Sequence, residues 1–141
     1  MTLGNFEPQF GGIQWYTDQV MGTGNPRENF YTNSQAKQYY QKYVSTLVYR
    51  TNTITGTQYK DDTTVLAWEL LNEPHTTDSY EKQRGMEPGK LVRDWLDEMS
   101  GWLKGIDSNH LISSGEEGYR ADSSTSGNYN NWINGGFKGG H

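Results

Sequence analysis

Apolar positions along the chain fall into two helical stripes and two short unbroken runs. Ala36, Tyr39, Tyr40, Tyr43, Val44, Leu47 and Val48 recur at three- and four-residue spacing, and Leu91, Val92, Trp95, Leu96, Met99, Trp102, Leu103 and Ile106 repeat the pattern. That period puts each set on one face of an amphipathic helix. Ser34 suits the N-cap of the first helix, and Pro88 the first turn of the second. A shorter helix is expected over residues 12–20. Residues 64–71 are instead a continuous apolar and β-branched run, the composition of a strand buried on both faces. Residues 110–114 read as a second short strand, and Met1-Thr2-Leu3 as the tail of another. Between them, residues 7–33, 52–62 and 75–87 are polar and punctuated by Gly and Pro, as loops are, and so is everything from Arg120 onward.

The resulting order is strand, helix, strand, helix, strand. Alternation with crossover helices implies parallel strands and an α/β architecture. A closed eight-unit (β/α) barrel takes about 250 residues, and this chain offers roughly three units. We therefore expect residues 1–141 to be one partial domain with no second domain. Its outer strands would show open edges, so the isolated chain is expected to lack a sharp cooperative unfolding transition.

The first strand run ends abruptly in Asn72-Glu73-Pro74. Proline cannot donate to a strand ladder and turns the residue before it away from helix, so the strand stops there. This leaves an amide and a carboxyl at the C-terminal lip of a buried strand, where parallel α/β folds place their chemistry. Glu73 is the leading candidate for a general acid. Burial against Trp68 or similar apolar walls would disfavour its charged form and raise its pKa. The plainer alternative is a carboxylate that caps the following loop. Asn72 could hydrogen-bond a substrate hydroxyl or simply hold the turn. The second strand also runs into carboxylates, Glu116 and Glu117, one of which could face the same site because side chains alternate along a strand.

Composition narrows the classes. The 17 acidic and 12 basic residues leave a net charge of -5, which argues against a nucleic-acid surface. No apolar run is long enough to span a bilayer, and no signal-peptide pattern follows Met1. The absence of cysteine excludes disulfides and thiolate zinc sites. The three histidines lie far apart, so no metal is expected, and residues 85–90 and 122–127 fail as phosphate and calcium loops. No cofactor is expected either. Hydrophobic residues make up only 32% of the chain, yet five Trp and ten Tyr are present. Such rings either stack on sugars or fill the core of a loop-rich fold.

Trp68-Glu69-Leu70-Leu71-Asn72-Glu73-Pro74 resembles the strand-four signature of family 5 glycoside hydrolases, most closely the endo-β-1,4-mannanases. Phe30-Tyr31-Thr32-Asn33, Arg50-Thr51-Asn52, Tyr59-Lys60-Asp61-Asp62, Ile106-Asp107-Ser108-Asn109-His110-Leu111 and Gly115-Glu116-Glu117-Gly118-Tyr119 resemble further segments in the same order. The resemblance implies a fragment of a (β/α)8 TIM barrel, from the end of strand three through strand five. It implies retaining hydrolysis of internal β-1,4 bonds in β-mannan or manno-oligosaccharides, with Glu73 as acid/base and Asn72 at the sugar 2-hydroxyl. Glu117 matches a residue on the leaving-group side of the cleft. His75 stands where Arg is common, and Asn5-Phe6 where Asn-Trp is usual. The family's nucleophile belongs to strand seven, beyond this sequence, so the isolated chain is expected to be inactive. A secreted, monomeric full-length enzyme is implied as well. Two alternatives stay open: a relative acting on another β-glucan such as cellulose, and a non-catalytic carbohydrate-binding remnant. The latter would use Trp15, Tyr119 and Trp132 as stacking platforms.

Overall fold

The computed structural model of the chain describes residues 1–76, 78–87 and 89–116. Within them the sequence forms helices α1 (Ile13–Met21), α2 (Ser34–Val48), α3 (Asp78–Lys82) and α4 (Lys90–Ile106), and strands β1 (Ala67–Glu69) and β2 (Leu111–Ser113). The strands pair in parallel, with Ala67 opposite Leu111 and Glu69 opposite Ser113. On the other side of β1 the N-terminal segment forms parallel bridges, Thr2 to Glu69 and Asn5 to Asn72. The expected strand tail at Met1-Thr2-Leu3 is therefore present. β1 lies in the middle of three parallel stretches of backbone joined by helical crossovers, as in part of a (β/α) barrel.

The two apolar stripes bury as expected. Ala36, Tyr40, Val44 and Val48 of α2 and Leu91, Val92, Trp95, Leu96, Met99 and Leu103 of α4 are buried. Aromatic rings link the helices: Trp95 lies 5.3 Å from Phe30, 5.7 Å from Tyr31 and 5.4 Å from Tyr40 between ring centroids. Tyr16 of α1 joins this cluster at 5.4 Å from Phe30. These rings are core, at separations where tilted and edge-on rings attract. The Tyr40 hydroxyl also donates to the Leu70 carbonyl at 2.6 Å, tying α2 to the end of β1.

Several local expectations are corrected. Ser34 lies inside α2; the N-cap is Asn33, whose side chain accepts the N–H groups of Gln35 and Ala36. Asn has the carboxamide oxygen that reaches those two donors from the preceding position. The β1 strand begins at Ala67 rather than residue 64, and Leu66 is 78% exposed. An apolar run does not say what covers it: Val65 is half-buried, and full burial starts at Trp68 and includes Leu70 and Leu71. Short helical turns, Pro8–Phe10, Arg27–Tyr31 and Tyr59–Asp61, and α3 occupy stretches expected to be loop. Pro88, assigned to the first turn of the second stripe, lies outside the described residues.

α4 has no side-chain cap of its own at Gly89. Glu81, on α3 and fully buried, accepts the N–H of Gly89 at 2.7 Å and of Leu91 at 3.0 Å. A carboxylate there satisfies donors that the first turn leaves unpaired and faces the positive end of the helix dipole.

Candidate active site

The Asn72-Glu73 dipeptide stands where the three parallel stretches end together. Asn72 N–H donates to Gly4 O at 2.9 Å, and Phe6 N–H donates to Asn72 O at 3.1 Å. On the other side, Leu70 N–H donates to Ser113 O and Glu73 N–H to Gly115 O, both at 2.9 Å. Both neighbouring stretches therefore grip the turn. Glu73 itself has φ of 54°, the one non-glycine with positive φ among the described residues. A left-handed conformation costs about 1–2 kcal/mol for such a residue and persists where the surroundings over-determine it. It also takes Glu73 out of strict strand alternation, so the turn rather than the pleat aims the carboxyl.

Gly115 makes this grip possible. Its φ is 82°, and a Cβ there would sit 2.0 Å from Leu71 O. No side chain fits where the two backbones approach so closely. A glycine directly after the second strand is the sequence signal for it.

Asn72 and Glu73 are half-buried, whereas Pro74 and His75 are buried. The His75 Nδ1 lies 2.7 Å from Glu73 O, and the Tyr31 hydroxyl donates to His75 O at 3.2 Å. Burial lowers the His75 pKa, with Arg27 adding to that effect and the Glu73 carbonyl and Glu7 opposing it. A neutral imidazole facing a carbonyl, which only accepts, carries its proton on Nδ1. The His75 ring packs at 3.7 Å, tilted, against Phe6, and the Arg27 guanidinium lies 4.0 Å above the other ring's centroid, that of Phe6. The two residues that differ from the mannanase pattern, Phe6 and His75, thus touch each other.

Trp15 occupies the first turn of α1 and is 54% exposed. Asn5 O receives the N–H of Ile13 at 2.9 Å, and Asn5 is the residue bridged to Asn72, so Trp15 lies at the same end of the sheet as Glu73. Its ring stands edge-on to Tyr16 at 5.2 Å. Glu116 is half-buried and accepts the Ser114 hydroxyl at 3.3 Å. Glu117, Tyr119 and Trp132 lie outside the described residues.

Trp68 is not the apolar wall expected beside Glu73. Five residues of nearly extended chain separate them, about 16 Å at strand rise. The indole instead donates to Asp107 Oδ2 at 2.6 Å, and the same oxygen lies 2.7 Å from His110 Nδ1. Burial acts to raise the Asp107 pKa, but bonds from Trp68, His110 and two backbone N–H groups hold it below 3.8. Burial acts to lower that of His110, but Asp107 and the Asp62 carbonyl hold it above 6.5. This carboxylate–imidazole pair and a neighbouring cavity of about 380 Å³, lined by Lys60, Val65, Leu66 and Leu111 among others, lie where β1 and β2 begin. That is the end opposite Glu73, where barrel residues serve stability.

A model of the glycoside hydrolase family 5 β-mannosidase-like family matches residues 15–131. The chain is 44% identical over 121 residues to mannan endo-1,4-beta-mannosidase 1 of Arabidopsis thaliana, covering 86% of this chain and 27% of that protein. It superposes on the endo-β-1,4-mannanase of Thermotoga petrophila with TM-score 0.75 and 34% identity, covering 88% of this chain and 25% of that one. The endo-1,4-beta-mannanase of Rhizomucor miehei gives TM-score 0.76 at 32% identity, over 89% of this chain and 35% of that one. The chain thus spans roughly a quarter to a third of the length of these relatives.

Proposed function

Because this chain belongs to the glycoside hydrolase family 5 β-mannosidase-like family, we propose that it carries the acid/base half of an endo-mannanase site. The substrate is β-mannan or manno-oligosaccharide, cleaved at internal β-1,4 bonds with retention. The observation that carries the reading is Glu73, held in a left-handed turn at the C-terminal lip of the sheet by bonds from both sides. Such costly geometry is retained where a carboxyl must be aimed.

In the first step a second carboxylate attacks the anomeric carbon, the glycosidic C–O bond breaks, and Glu73 gives its proton to the leaving oxygen. In the second, Glu73 takes a proton from water as the water oxygen replaces the ester oxygen at the same carbon. Retention needs the two carboxyls about 5–5.5 Å apart. We place the second on sequence beyond these 141 residues, in the remaining barrel units. Asn72, next to Glu73, hydrogen-bonds the 2-hydroxyl of the sugar at the cleavage point. Trp15, Tyr119 and Trp132 offer rings to neighbouring sugars, and Glu117 contacts the leaving-group side. His75 stands behind the same wall, its ring buried against Phe6. An extracellular setting, where plant mannans occur, belongs to this proposal; among the described residues no helix is long and apolar enough to cross a membrane.

The test is hydrolysis of mannan and of manno-oligosaccharides by the enzyme that contains this segment, with and without Glu73→Gln. Loss of a positioned proton donor is expected to slow turnover by about 10²–10⁴-fold. An aryl manno-oligoside whose leaving group needs no proton should lose far less in the bond-breaking step. Unchanged turnover in the variant would remove Glu73 from the reaction. Faster hydrolysis of carboxymethylcellulose than of mannan would move the substrate to another β-glucan. Oligosaccharide binding that survives the substitution, with no turnover in either protein, would leave a binding module.

A further inference from the structure

We propose that His75 is a positioning residue whose Nδ1–H bond to the Glu73 carbonyl holds Glu73 in its left-handed conformation. The consequence for turnover rests on the reading of Glu73 as acid/base; the conformational part does not.

Glu73 has one backbone group on each side to be fixed. Its N–H is fixed by Gly115 O at 2.9 Å, across the sheet. Its C=O precedes Pro74, which has no N–H to offer. His75 supplies the missing donor: Nδ1 reaches back over Pro74 to Glu73 O at 2.7 Å. An acceptor at the N–H and a donor at the C=O pin both of its backbone torsions.

The imidazole is itself seated. It is 6% exposed, packs at 3.7 Å against Phe6, and its own carbonyl accepts the buried Tyr31 hydroxyl at 3.2 Å. Phe6 is fixed in turn by its N–H bond to Asn72 O and by the Arg27 guanidinium 4.0 Å above its ring. Arg27 is balanced by Glu7 at 3.8 Å. The assembly closes on itself: the residue that seats the imidazole is bonded to the residue preceding the glutamate. A side chain with no ring would lose the Phe6 contact, and a ring with no donor would lose the Glu73 bond, so the two contributions can be separated.

The experiment compares His75→Phe, which keeps a ring and removes the donor, with His75→Asn, whose amide nitrogen takes the place of Nδ1. Both are made in the enzyme that contains this segment. Deuterium uptake of residues 70–76 is followed beside that of residues 64–69, together with kcat and KM on mannopentaose. In His75→Phe, uptake at 70–76 should quicken about tenfold while 64–69 changes little, the signature of one lost hydrogen bond rather than global loosening. kcat should fall about 10–100-fold with KM nearly unchanged, because the carboxyl is misplaced only for the bond-breaking step. His75→Asn should restore both readouts to within about threefold of the parent. Should the Phe variant fail to fold, His75→Leu takes its place, since it is close in shape to Asn but carries no donor.

Uptake at 70–76 that stays at the parental rate, or rises equally at 64–69, would overturn the proposal. So would an impaired Asn variant beside a Phe variant at parental level, which would assign the effect to ring packing. A parent enzyme with no activity on mannan would defeat the mannanase reading, while the uptake comparison would still decide the role of His75.

Discussion

The indole of Trp68 and the carboxylate of Asp107 are joined by a 2.6 Å hydrogen bond that ties β1 to the end of α4. Thirty-nine residues separate them in sequence, and both are nearly inaccessible to solvent. Trp68→Phe keeps an aromatic ring but removes the donor to a buried anion and leaves a small void. It should cost about 2–4 kcal/mol, read from the urea midpoint. A change under about 0.5 kcal/mol would show that the bond contributes nothing net.

The Asp107–His110 pair makes stability depend on pH in a defined direction. His110 is held above its ordinary 6.5, so the native state binds its proton more tightly than the unfolded chain. Its contribution is complete below pH 6.5 and disappears as pH rises through the folded-state value. Asp107 is held below 3.8, so its contribution is present above that value and disappears as pH falls through the folded-state value. His75, lowered by burial, acts opposite to His110: its contribution is full above 6.5 and is lost as pH falls through its folded value. The stability difference between the parent and His110→Asn should therefore be largest below pH 6.5 and shrink as pH rises through the folded-state value. A difference that grows with pH would contradict the assigned partners.

Glu81 caps α4 from outside the helix, and its carboxylate serves two N–H groups at once. Glu81→Ala should lower stability by about 2–3 kcal/mol, and Glu81→Gln by less, since the amide oxygen still accepts but carries no charge. A Gln variant as stable as the parent would assign the cost of the Ala variant to packing.

Gly115→Ala should be among the most damaging small substitutions in the described residues. Its Cβ would meet Leu71 O at 2.0 Å and Glu69 Cγ at 2.8 Å. We expect a loss above about 3 kcal/mol, and with it the anchor of the Glu73 N–H. Gly85→Ala supplies the control, since φ is 66° there but nothing lies within 4 Å. It should cost about 1 kcal/mol from backbone strain alone. Comparable losses at the two sites would mean that the sheet yields around Gly115.

Glu73→Asn should make the protein more stable and the enzyme inactive. Asn adopts the left-handed region at lower cost than Glu, so the gain should be about 0.5–1 kcal/mol. Its shorter amide carries no acidic proton. Such a stability gain at the expense of activity is common at strained functional positions. A variant less stable than the parent would indicate that Glu73 is held by its side chain rather than tolerated in spite of it.

What the sequence determined by itself is local and periodic. The stripes of α2 and α4 are legible because the 3.6-residue period repeats across four and five turns. The stop at Asn72-Glu73-Pro74 is legible because proline ends a strand whatever surrounds it. These two features set the α/β order and pointed to Glu73. Tertiary structure decided the rest, because it depends on pairings between distant residues. The partner of Trp68 is Asp107 rather than Glu73, and the cap of α4 comes from Glu81. The left-handed turn at Glu73 depends on backbone atoms of Gly4, Phe6 and Gly115, and on a histidine reaching back over Pro74. No period or composition encodes such contacts; they arise only when three separate stretches of chain end side by side.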